Sequence, residues 1–227
     1  MPYSSVRKLA MLGLFLGAMV ACEAKDAAPV PSPAADEAVA QHAAPEKAVV
    51  AGGCFWGIQA VFQHVKGVIS ATSGYSGGTV KNPSYEEVSS KNTEHAESIE
   101  VTYDPSQITY GQLLRVFFSV ALDPTELNRQ GPDEGTQYRS VIFYNNDQQK
   151  KIAEAYLAQL DKGKVFSGKI VTQVVPLKAF YPAESYHQNY FELHPDSPYI
   201  IYNDKPKVAN LKKEFPDLYT EPVMAKK

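Results

Sequence analysis

Hydrophobic residues along this chain recur at two spacings, one typical of strands and one typical of helices. Strand patterns, which are apolar runs or period-two alternation, cover 47–51, 68–76, 95–103, 141–144 and 169–175. Helical patterns, with apolar residues three or four apart, cover 57–65, 109–120, 148–160 and 206–215, and a short tyrosine-rich helix is predicted within 180–191. The order predicts an α/β (α+β) domain over 46–220: a two-layer sandwich with a mixed β-sheet and surrounding helices.

The N-terminus has the pattern of an export signal. Arg7 and Lys8 precede an apolar stretch over 9–20, which is short for a membrane span. Because this stretch ends at Ala21-Cys22, residues 1–21 resemble a bacterial lipoprotein signal peptide, with Cys22 as the lipidated residue. The predicted location is the cell envelope, anchored to the membrane and facing the periplasm or exterior. An ordinary secretory signal, giving a secreted or soluble periplasmic protein, is the alternative.

Composition changes on either side of the predicted domain. Residues 22–45 are rich in Ala and Pro and lack aromatics, which predicts a flexible tether. Residues 221–227 are predicted to be a C-terminal tail. The net charge of −3 gives no electrostatic case for nucleic-acid binding. The two cysteines, Cys22 and Cys54, exclude a disulfide-rich scaffold.

Cys54 is placed where the first predicted strand turns into the first helix. Gly52 and Gly53 allow a tight turn there. The N-terminus of a helix favours an anion, so this placement predicts a lowered thiol pKa. Phe55 and Trp56 follow and suggest a small apolar pocket beside a nucleophile. A buried, inert cysteine packed under two core aromatics is the alternative.

Glu97 has the strand parity of apolar residues. In the strand over 95–103, Ile99 and Val101 share its face. A carboxyl group on such a face is expected to have a raised pKa, because burial favours its neutral form. The alternative is a glutamate at the strand end that reaches solvent.

The segment Gly53-Cys54-Phe55-Trp56-Gly57 resembles the active-site signature of the peptide methionine sulfoxide reductase A family. Further segments resemble that family in the same order, at 74–78, 83–85, 95–97, 103–105, 129–133, 135–140 and 186–190. The resemblance covers nearly the whole predicted domain, and the family's mixed sheet with helices around it is compatible with the predicted elements.

The resemblance implies a role for individual residues. Cys54 would be the nucleophile and Glu97 the proton donor to the sulfoxide oxygen, with reduction of the S epimer through a cysteine sulfenic acid. Substrate-binding roles fall on aromatic and acidic residues around them: Phe55, Trp56, Tyr85, Asp133, Tyr138 and Tyr190. In the family, Phe55 and Trp56 would hold the substrate methyl group, and Tyr190 would lie near the thiol. No metal and no organic cofactor is implied.

Regeneration departs from much of the family. Many members carry further cysteines near the C-terminus, but residues 202–227 contain none and position 57 is glycine. The chain therefore resembles a single-cysteine member that depends on an external, thioredoxin-like thiol. Expected partners are oxidised proteins or peptides, free methionine sulfoxide and that reductant. The membrane would be contacted through the lipid anchor only, and we expect a monomer.

Two other functions remain compatible with the sequence. A cysteine–histidine hydrolase could draw on His64, His95, His187 or His194. A non-catalytic lipoprotein that binds peptides would need no nucleophile. Release of methionine without hydrolysis products would distinguish the reductase from the hydrolase. Full biological activity of a Cys54→Ser protein would favour the peptide-binding lipoprotein.

Overall fold

The computed structural model describes residues 29–41, 44–222 and 224. The predicted signal peptide over 1–21, the lipidation site Cys22 and most of the predicted tail therefore lie outside the described residues. Among the helices of the described part, none is long and apolar enough to cross a membrane.

The elements alternate between strands and helices from β1 to α3, and further strands and helices follow. The strands are β1 (Glu46–Ala51), β2 (Val68–Ser76), β3 (Ala96–Tyr103), β4 (Arg129–Gln130), β5 (Asp133–Glu134), β6 (Val141–Tyr144), β7 (Gln173–Pro176) and β8 (Phe180–Pro182). The α-helices are α1 (Phe55–Gln63), α2 (Tyr85–Ser89), α3 (Tyr110–Val116), α4 (Asp147–Lys162), α5 (Tyr190–Leu193) and α6 (Lys205–Glu214). Single π turns continue α3 over Phe117–Ala121 and precede α6 over Ile200–Asp204.

The described strands form one six-stranded sheet and one small ribbon. The sheet order is β7-β6-β1-β3-β2-β8, and only β6 and β7 run parallel to each other. Helix α4 joins these two strands, which fits the crossover that a parallel pair requires. The predicted mixed sheet with surrounding helices is confirmed. Strands β4 and β5 pair as a ribbon inside the long polar segment over 122–137, which has no strand pattern in its sequence.

Local sequence fixes where the helices begin. Ser84 and Glu87 form a capping box at the start of α2, and Thr109 and Gln112 form another at α3. The tyrosine-rich segment over 180–191 differs from its prediction as one short helix. It contains β8, a 3₁₀ turn over 185–187 and the start of α5, because Phe180–Pro182 pairs with β2 as the edge strand of the sheet.

Residues 29–41, here called the N-terminal strap, lie against the domain, although the sequence predicts a flexible tether over 22–45. Side chains of α3 and α4 bind the strap backbone: Arg115 Nε donates to the Val30 carbonyl at 3.0 Å and Tyr156 Oη donates to that of Pro31 at 2.7 Å. In return, Glu37 Oε1 accepts the Tyr110 backbone N–H at 2.8 Å. A carboxylate such as that of Glu37 is stabilising at the N-terminus of a helix. The composition of the strap does not reveal this contact with α3.

Candidate active site

Cys54 lies where the sequence places it, between β1 and α1. It is the residue before the first turn of the helix and its side chain is buried, with 8% of its surface exposed. Gly53 has φ +105°, and a Cβ there would lie 2.8 Å from the side chain of Gln130. Only glycine adopts this conformation and leaves that space without strain, so the turn that presents the thiol depends on it.

The thiol is not activated in the way that its position in the sequence suggests. Burial, which is the largest cause, together with the carboxyls of Glu97 and Asp204, raises the pKa of Cys54 well above its ordinary value. The backbone N–H of Trp56 and the ammonium group of Lys207 lower this pKa by less. The expectation of a lowered pKa was therefore wrong, because desolvation outweighs the helix N-terminus.

Glu97 lies on β3 with 2% of its surface exposed, which confirms that it faces the interior. Its Oε2 accepts the backbone N–H of Phe55 at 3.1 Å, so the carboxyl group lies directly beside the first turn of α1. Burial raises the pKa of Glu97 to about 8, the hydrogen bond from Phe55 opposes this, and the charge of Asp133 adds to it. The carboxyl is thus protonated near neutral pH, as predicted.

Two tyrosines approach the thiol and the carboxyl from separate elements. Tyr85 begins α2, and Tyr138 lies in the 3₁₀ turn before β6. Burial is the largest cause of the raised pKa of each hydroxyl, and the charges of Glu97, Asp133 and Cys54 act on both. Both hydroxyls therefore stay protonated and can donate hydrogen bonds into the site.

Asp133 comes from the ribbon strand β5 and is held by a tyrosine that the sequence reasoning missed. Tyr199 Oη donates to Asp133 Oδ2 in a short hydrogen bond. Burial raises the pKa of Asp133, while this bond and the charge of Lys207 oppose the shift. Tyr199 lies in the helical turn that leads directly into the π turn before α6, where no periodic pattern draws attention to it.

The aromatic residues beside Cys54 form a packed wall. Phe55 is 1% exposed, and its ring lies 5.0 Å from that of His187. Trp56 stacks on Tyr190 with ring centroids 3.8 Å apart, and Tyr199 meets it edge-on at 5.7 Å. Tyr190 thus contacts the face of Trp56, and Tyr199 is the tyrosine that shares a cavity with the thiol.

His187 and Glu184 are further site residues that the sequence did not single out for this role. The indole N–H of Trp56 donates to His187 Nδ1 at 3.2 Å, which fixes the orientation of the indole ring. Glu184 Oε1 accepts the Tyr85 backbone N–H at 2.8 Å, and its Oε2 accepts the Tyr75 hydroxyl at 2.9 Å. Both residues follow β8. This edge strand therefore positions the two side chains that hold the Trp56 indole and the Tyr85 backbone in place.

A cavity of about 330 Å³ opens beside the thiol. Its lining combines a polar and an apolar part, with Cys54, Asp133, Tyr199, Asn203, Lys207 and Leu122 among its residues. Within the described part of the chain, no group of three or more His, Cys, Asp or Glu side chains could hold a metal ion.

The histidines have partners other than the thiol. His64 Nδ1 lies 2.8 Å from the Ala60 carbonyl, His95 Nδ1 accepts the Gly78 N–H, and His187 binds Trp56. A cysteine hydrolase requires a base within hydrogen-bond reach of its nucleophile. None of these three bonds joins a histidine to Cys54, so they give the hydrolase reading no support.

The fold and this site define a thiol-dependent enzyme in which a protonated carboxyl group and tyrosine hydroxyls surround a buried cysteine. Residues 46–219 match the sequence family described as peptide methionine sulfoxide reductase. A relative from Mesorhizobium japonicum, peptide methionine sulfoxide reductase MsrA 2, is 61% identical over 183 residues, covering 80% of this chain and 94% of the relative.

Solved structures of similar proteins agree with this match. Methionine sulfoxide reductase A of Corynebacterium diphtheriae is 35% identical with a TM-score of 0.58, covering 66% of this chain and 76% of that chain. Reduced Mxr1 from Saccharomyces cerevisiae is 34% identical with a TM-score of 0.60, covering 67% and 87%. The chain belongs to the peptide methionine sulfoxide reductase family. It is an oxidoreductase that reduces the S epimer of methionine sulfoxide.

Proposed function

We propose that Cys54 is the nucleophile and Glu97 the acid in this reduction. The single observation that carries the proposal is the hydrogen bond of the Glu97 carboxyl group to the Phe55 N–H, which places a protonated acid next to the thiol-bearing turn. A sulfoxide oxygen leaves sulfur only when it is protonated or strongly hydrogen-bonded. A neutral carboxylic acid provides this near pH 7.

The proposed reaction balances without a cofactor. The sulfur of Cys54 attacks the sulfoxide sulfur, while Glu97 gives its proton to the sulfoxide oxygen. The thiol proton replaces the one that Glu97 has given. The attack joins the two sulfurs and releases the oxygen from the methionine sulfur as hydroxide. The hydroxide then attacks the Cys54 sulfur, the bond between the two sulfurs breaks, and its electron pair returns to the methionine sulfur. Cys54 is left as a sulfenic acid, so the substrate sulfur is reduced by two electrons and the cysteine sulfur is oxidised by two.

The surrounding side chains would bind the substrate. The hydroxyls of Tyr85 and Tyr138 donate to the oxygen as it gains charge, and Asp133, held by Tyr199, orders this polar side. The rings of Phe55 and Trp56 hold the methyl group. Tyr190 and His187 fix the indole of Trp56 from its face and its N–H, so this wall is rigid before the substrate binds.

Recycling would use an external thiol. Cys54 is the only cysteine among the described residues, so a second cysteine of the domain cannot resolve the sulfenic acid. One external thiol attacks the sulfenic sulfur and releases water, and a second thiol releases the resulting mixed disulfide. A thioredoxin-like protein, which carries both thiols, is the reductant we propose.

The envelope location is also a proposal, with Cys22 lipidated. The export-signal pattern that ends at Cys22 supports it. Pro29 and Val30 line a second cavity together with Ser119, Leu122 and Asp123, which also line the Cys54 cavity, so the strap begins close to the thiol. A chain of seven residues spans at most about 25 Å, so an anchor at Cys22 would hold the cavity near the membrane. Release of a Cys22→Ser protein from washed membranes tests this, and equal retention of both proteins contradicts it.

Epimer selectivity tests the function directly. Protein incubated with resolved epimers of methionine sulfoxide and dithiothreitol should consume the S epimer and leave the R epimer essentially unchanged. The reason is that methyl group, oxygen and lone pair each meet a different wall of the site. Chiral chromatography of the remaining sulfoxide measures both, and a Cys54→Ser protein is the control. Equal consumption of the two epimers would overturn the proposal.

A further inference from the structure

A charged pair lies against the turn that carries Cys54. Lys207 Nζ donates to Asp204 Oδ1 at 3.1 Å, and the Asp204 side chain has 0% of its surface exposed. Gly57, three residues after Cys54, makes room for this pair: a Cβ there would overlap Asp204 Oδ1 and lie 2.9 Å from Lys207 Nζ. The pair therefore packs on the first turn of α1.

The geometry of Asp204 is not that of an ordinary helix cap. It has helical backbone dihedrals and joins the π turn to α6 within one continuous helix, and its side chain accepts no backbone N–H. Its Oδ2 is buried without a hydrogen-bond partner. A buried carboxylate with one oxygen bound to a lysine and the other without a partner costs stability, which points to a role outside folding.

Lys207 is also the cation of the thiol cavity. The charged residues that line this cavity in the described chain are Asp123, Glu126, Asp133 and Lys207, so three are acidic and one is basic. With a fifth of its side chain exposed, the ammonium group is held by Asp204 and still faces the cavity. Lys207 thus adds positive charge where Cys54 must become negative.

We propose that Lys207, oriented by Asp204, stabilises the thiolate form of Cys54 as it attacks the sulfoxide. The proposal deepens the proposed function, since it concerns the same thiol. Other titratable groups that act on Cys54 are the carboxyls of Glu97 and Asp204 and the hydroxyls of Tyr85, Tyr138 and Tyr199. All of these bear negative charge when ionised and oppose the thiolate, and Lys207 acts in the other direction.

The rate at which iodoacetamide alkylates Cys54 tests the proposal without substrate. Below the thiol pKa this rate is proportional to the thiolate fraction. At about pH 8, Lys207→Met should slow it about threefold to tenfold, and Lys207→Arg should keep it close to wild type. The matched control is Lys205→Met, on the same helix but exposed and outside the cavity lining. Methionine released in the first turnover should follow the same order.

Opposite signs separate electrostatics from packing. Asp204→Asn keeps an oxygen that can accept the Lys207 ammonium group, so Lys207 stays oriented, while a negative charge near the thiol is removed. Alkylation should therefore become faster, whereas loss of packing would change both variants in the same direction. An unchanged rate in Lys207→Met, or slowing in both variants, overturns the inference. If Asp204→Asn does not fold, the comparison of Lys207→Met with Lys207→Arg decides. Alkylation requires no sulfoxide, so this test of Lys207 gives its result independently of the reductase activity.

Discussion

Reduction of methionine sulfoxide should fall about 100-fold or more in a Glu97→Gln protein. The amide can still accept the Phe55 N–H, so the turn around Cys54 is kept, but it has no acidic proton for the sulfoxide oxygen. Wild-type activity should also decline as pH rises past about 8, where Glu97 loses its proton, and the residual activity of the variant should lack this decline. Steady-state rates between pH 6 and 9, with dithiothreitol as reductant, measure both effects.

Glu100→Gln is the matched control for that experiment. Glu100 lies three residues further along β3, on the other face, where it pairs with Lys47 at 2.8 Å. Its replacement should leave the rate and its pH dependence unchanged. Full turnover by Glu97→Gln would remove the acid role from Glu97.

Glu97→Gln should also stabilise the fold. The folded protein binds the Glu97 proton with a pKa of about 8, against 4.5 as the ordinary value for an unfolded chain. The contribution of Glu97 to the free energy of unfolding is therefore fully present below pH 4.5 and is lost as the pH rises towards 8. Glu97→Gln avoids this loss and should raise the free energy of unfolding by about 2–4 kcal/mol at pH 7, with little effect at pH 4.5. Urea unfolding at both pH values checks the sign.

Without a reductant, each protein chain should release at most one methionine. The oxidised Cys54 has no second cysteine in the domain to attack it, so the sulfenic acid should persist and react with dimedone. Mass spectrometry of a single-turnover mixture measures the adduct and the methionine together. Added dithiothreitol or thioredoxin should restore many turnovers. The number of turnovers per chain should therefore differ greatly between the samples without and with a reductant.

A protein with Cys54→Ser, which should release no methionine and bind no dimedone, controls for other sites. Two methionines released per chain would contradict the single-cysteine interpretation. Turnover without any dimedone adduct on Cys54 would contradict it as well.

The sequence predicted those parts of the site that depend on local patterns. The turn at Cys54 follows from a strand, two glycines and a helix in succession, and the burial of Glu97 follows from strand parity. Both signals are contained within about ten residues. The raised pKa of Glu97 could be inferred for the same reason, because strand parity alone puts it on the face of Ile99 and Val101.

The remaining features depend on residues far apart in the chain. The pKa of Cys54 depends on Asp204, which is 150 positions away and carries no motif. Tyr199 reaches Asp133 from a helical turn 66 residues further along the chain, and the N-terminal strap caps α3 from about 70 residues upstream. Such contacts exist only once the sheet and helices have packed, so no local pattern could predict them.

A buried, protonated thiol has a consequence for survival in the presence of oxidants. Peroxides attack thiolates and leave thiols almost untouched, and access is limited further by the small exposed fraction of Cys54. The protein should therefore keep its reactive cysteine intact at peroxide concentrations that already oxidise methionines elsewhere. Damage and the capacity to reverse it are thereby uncoupled, because the sulfur that performs the repair is spared by the agent that makes repair necessary.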